Sequence, residues 1–150
     1  MKLTRGGEYA LRAVLYLAQG RPAKVHMVST VAEAQEIPAR FLAKIFQTLA
    51  KAGFVTSHRG VKGGFSLTRP AEEITLKDVI EAIVGPVALN RDAAAPLNQV
   101  WKDAQEQMLQ ALSRVTFAEL ASADRHEPGV AMARPLRPLI ATDAGRPQAA

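Results

Sequence analysis

Residues 37–71 read IPARFLAKIFQTLAKAGFVTSHRGVKGGFSLTRPA. The run holds Arg40, Lys44, Lys51, Arg59, Lys62 and Arg69 and not one acidic residue. Phe41, Leu42, Ile45, Phe46 and Leu49 recur with helical spacing and predict one buried stripe over about residues 38–51. Ala39, Arg40, Ala43, Lys44, Gln47 and Lys51 fall on the opposite face. Pro38 suits the first helical position, and Gly53 is a stop signal. Two strands are expected next, Phe54–Ser57 and Phe65–Thr68, joined by a tip whose three Gly residues allow positive φ. A helix followed by a basic hairpin is the arrangement of a winged helix-turn-helix.

The flanking sequence completes such a domain. Thr4 can cap a helix running to about Gln19, ended by Gly20 and Pro22. A short helix, about Val28 to Gln35, precedes the Ile37-Pro38 turn. Thr75 caps a fourth helix with Leu76, Val79, Ile80 and Ile83 inward, and Gly85-Pro86 breaks it. Pro96 opens a long helix to about Ser113, on the order of 27 Å at 1.5 Å per residue. Its apolar positions Leu97, Val100, Trp101, Ala104, Met108, Ala111 and Leu112 make a stripe wide enough to bury against a partner. Thr116 and Glu119 form a capping box for a last short helix carrying Phe117 and Leu120. The fold expected is mostly α with a small β-hairpin wing. Residues 1–84 form the winged domain, and 85–122 the connector, dimerisation helix and terminal helix. Residues 123–150, rich in Pro and Ala without a period, read as a disordered tail, in which the group at 135–140 has the character to dock.

Charge follows the same division. Residues 1–84 carry twelve Lys or Arg against seven Asp or Glu, whereas 85–150 carry seven of each, so the whole +5 lies in the first part. That is the electrostatic footprint of a nucleic-acid partner. The absence of cysteine excludes disulfides, thiol redox switching and thiolate metal sites. His26, His58 and His126 lack ligand spacing and read as ordinary surface or loop residues, so no metal or cofactor is expected. No apolar run approaches the roughly 20 residues of a membrane span, and the N-terminus has no apolar signal core. A cytoplasmic protein without a membrane partner is therefore expected.

The chemistry of the acid-free run assigns roles for double-stranded DNA. Arg40 can bond guanine through its planar fork, while Lys44 and Lys51 suit phosphates, and Gln47 follows on the same face. Pro38, Ala39 and Ala43 allow close approach. Arg59, with Gly60, Lys62, Gly63 and Gly64, forms a tip able to enter a minor groove, and Ser57, His58 and Ser66 can add hydrogen bonds. A nucleotide cradle is disfavoured, because no P-loop or dinucleotide fingerprint surrounds the glycines. No Ser/His/Asp set, carboxylate pair or metal cluster supports an enzyme. A dimeric winged helix serving as a protein-interaction module stands as the second reading.

MKLTRGGEYALRAVLYLA, VAEAQEIPARFLAKIFQTLAKAGFV and SHRGVKGGFSLTRPAEEITLKDVIEAIVGP together resemble the Rrf2 family of bacterial winged-helix transcriptional regulators. The likeness resumes at PLNQVWKDAQEQMLQAL and TFAEL. It implies a homodimer, usually a repressor, on a pseudo-palindromic operator, with the long helix exchanged across the two-fold axis. It places Lys2, Thr4 and Arg5 in an N-terminal arm, Ser29 and Thr30 at the helix crossing the DNA backbone, Arg40 and Lys44 on the recognition helix, and Arg59 at the wing tip. The wing reads RGVKGG instead of an RGPGGG-like run, and Met27 stands where a capping Ser is common. Many members bind an iron–sulfur cluster through three cysteines before the long helix. Here that loop reads NRDAAAPLNQVW, shortened and without cysteine; the resemblance puts Ala95 where the last Cys would stand and Asn98 where some members have His, and Glu8 is left as a lone carboxylate. The expectation is a regulator with no cluster of the family type, controlled by an unidentified small-molecule or protein effector.

Overall fold

The computed structural model describes residues 3–87 and 94–125. Lys2, the loop at 88–93, His126 and the tail from 126 lie outside the described residues, as does the expected docking group at 135–140. Helix α1 spans Arg5–Gln19, and Thr4 caps it by accepting from the Gly7 N–H at 3.1 Å. Its buried face, Ala10, Ala13, Val14, Leu17 and Ala18, forms the central rod of the core, against which α3, α4 and α6 pack. Helix α2 spans Val28–Gln35 and α3 spans Ala39–Lys51. Between them Glu36 adopts the left-handed conformation, φ 51°, and Ile37 is buried, which sets the sharp turn of a helix-turn-helix. Arg12 fastens this corner to α1 by donating to the Gln35 carbonyl.

Pro38 is the N-cap of α3 and not its expected first helical residue, which is Ala39, and the Pro38 carbonyl accepts from Phe41 and Leu42. Leu42, Ile45, Phe46 and Leu49 are buried as expected. Phe41 is not: it is 53% exposed and meets the Tyr9 ring edge-on at 6.3 Å. The stripe drawn from periodicity is wider than the surface that α1 and α4 can cover.

Strands β1, Val55–His58, and β2, Gly64–Leu67, pair antiparallel with Val55 opposite Leu67 and His58 opposite Gly64. Each lies one residue nearer the tip than expected. A further pairing lies outside both strands: His26 and Phe65 exchange backbone hydrogen bonds of 2.9 Å in each direction, tying the α1–α2 connection to the wing. Close approach explains Gly64, because a Cβ there would stand 2.0 Å from the His26 carbonyl oxygen. Of the tip glycines only Gly60 has positive φ, 111°. The glycines of the wing thus serve close packing more than unusual backbone angles.

After a 3-10 turn at Ala71–Glu73, α4 spans Leu76–Val84 with the full Thr75–Asp78 capping box. Helix α5 spans Ala95–Arg114 and packs chiefly against α4. Helix α6 spans Phe117–Arg125, continuing past its expected end near Ser122, and buries Phe117 and Ala121. Thr116 and Glu119 make the expected reciprocal bonds, and the Thr75–Thr116 bridge joins the starts of α4 and α6.

Candidate nucleic-acid interface

The outward face of α3 exists because its inward face is held so firmly. Phe46 has no exposed surface, and its ring stacks on Phe65 of β2 at 4.7 Å between centroids, 15° from parallel. Helix α3 and the wing are therefore packed as one unit. On the outer side Pro38, Ala39, Arg40, Lys44, Gln47 and Lys51 are exposed, and Ala43 is half-buried. Arg40 and Lys44 stand one helical turn apart, so their cationic ends share a face. The Lys44 carbonyl accepts from the Thr48 hydroxyl at 3.1 Å, which leaves the ammonium uninvolved in that bond.

A second group gathers around a shallow groove of about 410 Å³ between the start of α2 and the wing. Ser29, Ser57, His58, Gly60, Gly63 and Gly64 line it. Thr30, Arg59 and Lys62 are exposed nearby in sequence, and Val61 at the tip is 98% exposed. The tip is closed by the Gly63 N–H donating to the Gly60 carbonyl at 2.9 Å. Arg5 is exposed at the first position of α1, while the Thr4 hydroxyl is occupied by its capping bond. Met27 supplies no side-chain cap to α2, in keeping with the replacement of a capping residue there.

Ser66 departs from its expected role. It is buried, and its hydroxyl lies 2.8 Å from His58 Nε2, so it braces the wing from within and is unavailable to a nucleic acid. His26 also departs from the surface reading. It is 7% exposed, packed edge-on against Tyr16 at 5.3 Å, and its Nε2 has no hydrogen-bond partner among the described residues. Burial, and secondarily Lys24, lowers its pKa below the usual histidine value. A lone His between two structural elements gives no sequence signal for such a position.

Electrostatically the acid-free run is as open as it is basic. All six of its cations are exposed, and among the described residues none is held in an ion pair; Arg69 lies over the Phe54 ring at 5.1 Å. The long helix presents different chemistry. Leu97, Val100 and Trp101 are 55%, 61% and 42% exposed, Ala104 and Ala111 are exposed, and Met108 and Leu112 are half-buried.

The sequence profile of the Rrf2 family, described as iron-dependent transcriptional regulators, matches residues 3–123. The chain belongs to the Rrf2 family. A Mycobacterium tuberculosis protein named as a helix-turn-helix-type transcriptional regulator is 35% identical over 131 residues, 81% of each chain. A Synechocystis protein of the same description is 31% identical over 128 residues, covering 80% of this chain and 87% of that one. Among solved structures, CymR, the global cysteine regulator of Bacillus subtilis, matches with TM-score 0.71 at 26% identity, over 82% of this chain and 98% of that one. T. potens IscR matches with TM-score 0.71 at 27% identity, over 87% and 93%.

The protein is thus a transcriptional regulator with a winged-helix DNA-binding fold, and not an enzyme. A chain without cysteine has no thiolate to offer an iron–sulfur cluster. Glu8 offers one exposed carboxylate in the first turn of α1, and among the described residues no three His, Asp or Glu side chains are grouped to hold a metal. The residues present do not fit a cluster of the family type. No helix of the described residues is long and apolar enough to cross a membrane.

Proposed function

We propose that this regulator acts as a homodimer, usually repressing, on a pseudo-palindromic operator in double-stranded DNA. The observation that carries the proposal is the set of exposed, unpaired cations on α3 and the wing, two elements fixed to each other through Phe46 and Phe65. Arg40 reads a base edge in the major groove, with Pro38, Ala39 and Ala43 permitting approach and Lys44, Gln47 and Lys51 contacting phosphates or neighbouring bases. The wing brings Arg59 and Lys62 to the backbone or minor groove, with Ser57, His58, Gly60, Gly63 and Gly64 shaping the approach. Ser29 and Thr30 meet phosphates at the start of α2, and Arg5, exposed at the first position of α1, adds a further phosphate contact. Dimerisation buries Leu97, Val100, Trp101, Ala104, Met108, Ala111 and Leu112, which explains an apolar surface unusual for an exposed helix. The control signal is a small molecule or partner protein.

The test is footprinting of the full chain on genomic fragments, followed by a salt titration on the protected sequence. Two protected half-sites about one helical turn apart are expected, with affinity falling steeply and linearly on a log–log salt plot. No protection on any fragment, alongside a stable complex with another protein, would favour an interaction module. A flat salt dependence would exclude phosphate contact as the source of affinity.

A further inference from the structure

A second cleft lies away from α3. Its walls come from the α1–α2 connection, from the end of β2 with the 3-10 turn, and from α6, and it encloses about 520 Å³. That volume is in the range of small-molecule sites. Arg21, Lys24 and Arg69 line it, opposed by one lining carboxylate, Glu72. Among the described residues none of the three cations is in an ion pair. Leu17, Ala18, Leu67 and Ala118 supply apolar surface beside them. The Lys24 N–H donates to the Arg21 carbonyl at 3.1 Å, closing a turn in which Ala23 has φ 58°, so both cations are presented by one tight bend.

We propose that this cleft is the effector site, and that its ligand is a small organic acid: an apolar body carrying one carboxylate or phosphate. The anion neutralises the unpaired cations, and the body covers the apolar wall. This rests on the reading of the protein as a DNA-binding regulator, and the geometry supplies a route to the wing. The lining connection leads into His26, whose backbone pairs with Phe65 in both directions. The His26 ring packs directly behind Gly20 of the cleft wall, where a Cβ would come within 2.8 Å of Nε2. Arg69, in the same cleft, immediately follows the Thr68 whose N–H donates to the Phe54 carbonyl at 3.0 Å. A ligand held between the connection and Arg69 therefore acts on the root of the wing from two sides.

The test uses amide NMR titrations of the full chain, free of DNA, with phenylacetate, phenyl phosphate and the neutral benzyl alcohol. Saturable shifts are expected at Gly20–Lys24, Thr68–Glu72 and Ala118–Ser122 with one or both anions, and binding of the alcohol weaker by about tenfold or more. Arg21→Gln with Lys24→Gln should weaken the anion by a similar factor while leaving ligand-free DNA affinity unchanged. Affinity for the footprinted fragment should then shift when the anion is added. No saturable shift with either anion, equal binding of the alcohol, or full anion affinity in the double variant overturns the site. Anion binding that leaves DNA affinity unmoved overturns its role as an effector site. Failure to footprint any fragment is a separate result and concerns the DNA reading alone.

Discussion

The α3–wing unit and α5 each expose a broad face, but they differ in what lies behind it. Helix α3 buries Leu42, Phe46 and Leu49 completely, so its cations are displayed on a surface that one chain finishes by itself. Among its described residues helix α5 buries none fully, and Leu97, Val100 and Trp101 are turned outward while Met108 and Leu112 are half-buried. A polar face over a filled core is ready for a solvated, charged partner. An apolar face without a cover calls for a protein surface. One chain therefore carries a polar face over a finished core and an apolar face left uncovered.

The comparison is broken most forcefully at Phe46. Phe46→Ala removes a fully buried ring and its stack on Phe65, and should cost about 3–5 kcal/mol of stability, read from urea unfolding curves. A change of only a few tenths would mean that α3 does not anchor the wing. Next comes Trp101→Glu, which places a carboxylate in the proposed dimer seam. Sedimentation velocity should show association weakened by on the order of a hundredfold in dimer affinity, with helical content of the monomer retained. An unchanged association profile removes α5 as the seam. Arg59→Ala should lower operator affinity by about 1–3 kcal/mol in titrations at fixed salt while leaving unfolding curves unmoved. Equal affinity for variant and parent would take the wing tip out of the interface.

The smallest effect concerns His26, which bridges the α1–α2 connection to the wing. Burial first and Lys24 second hold the folded His26 below its ordinary pKa of 6.5. As pH falls, the unfolded chain takes up the proton first. This contribution is therefore fully present above about pH 6.5 and is lost as pH drops from there toward the folded value. Thermal melts across that window should show the decline, and His26→Leu should flatten it. A parent protein with no decline would place the imidazole in solvent.

Much of the fold was legible because its signals are local. Thr4, the Thr75–Asp78 pair and the Thr116–Glu119 pair bond within three residues of themselves, so sequence spacing alone announces them. Phe41 was misplaced because periodicity defines a helix face but not how much of that face a neighbour covers. The roles of Ser66 and His26 were hidden because both depend on partners distant in sequence: His58 across the hairpin, and Phe65 on a strand beyond α3. The cations of the candidate interface could be named from the acid-free run, whereas the groove joining Ser29 to the wing needed the tertiary fold.

The Phe46–Phe65 stack has one more consequence. Two elements locked ring to ring cannot readily change their spacing to suit different duplexes, so adjustment is expected to fall on the DNA. Base steps lying between the groove read by α3 and the point met by the wing would then influence affinity through how easily they twist or narrow, without a side chain touching them. Half-sites identical at every contacted base, but stiffer in between, are expected to bind more weakly.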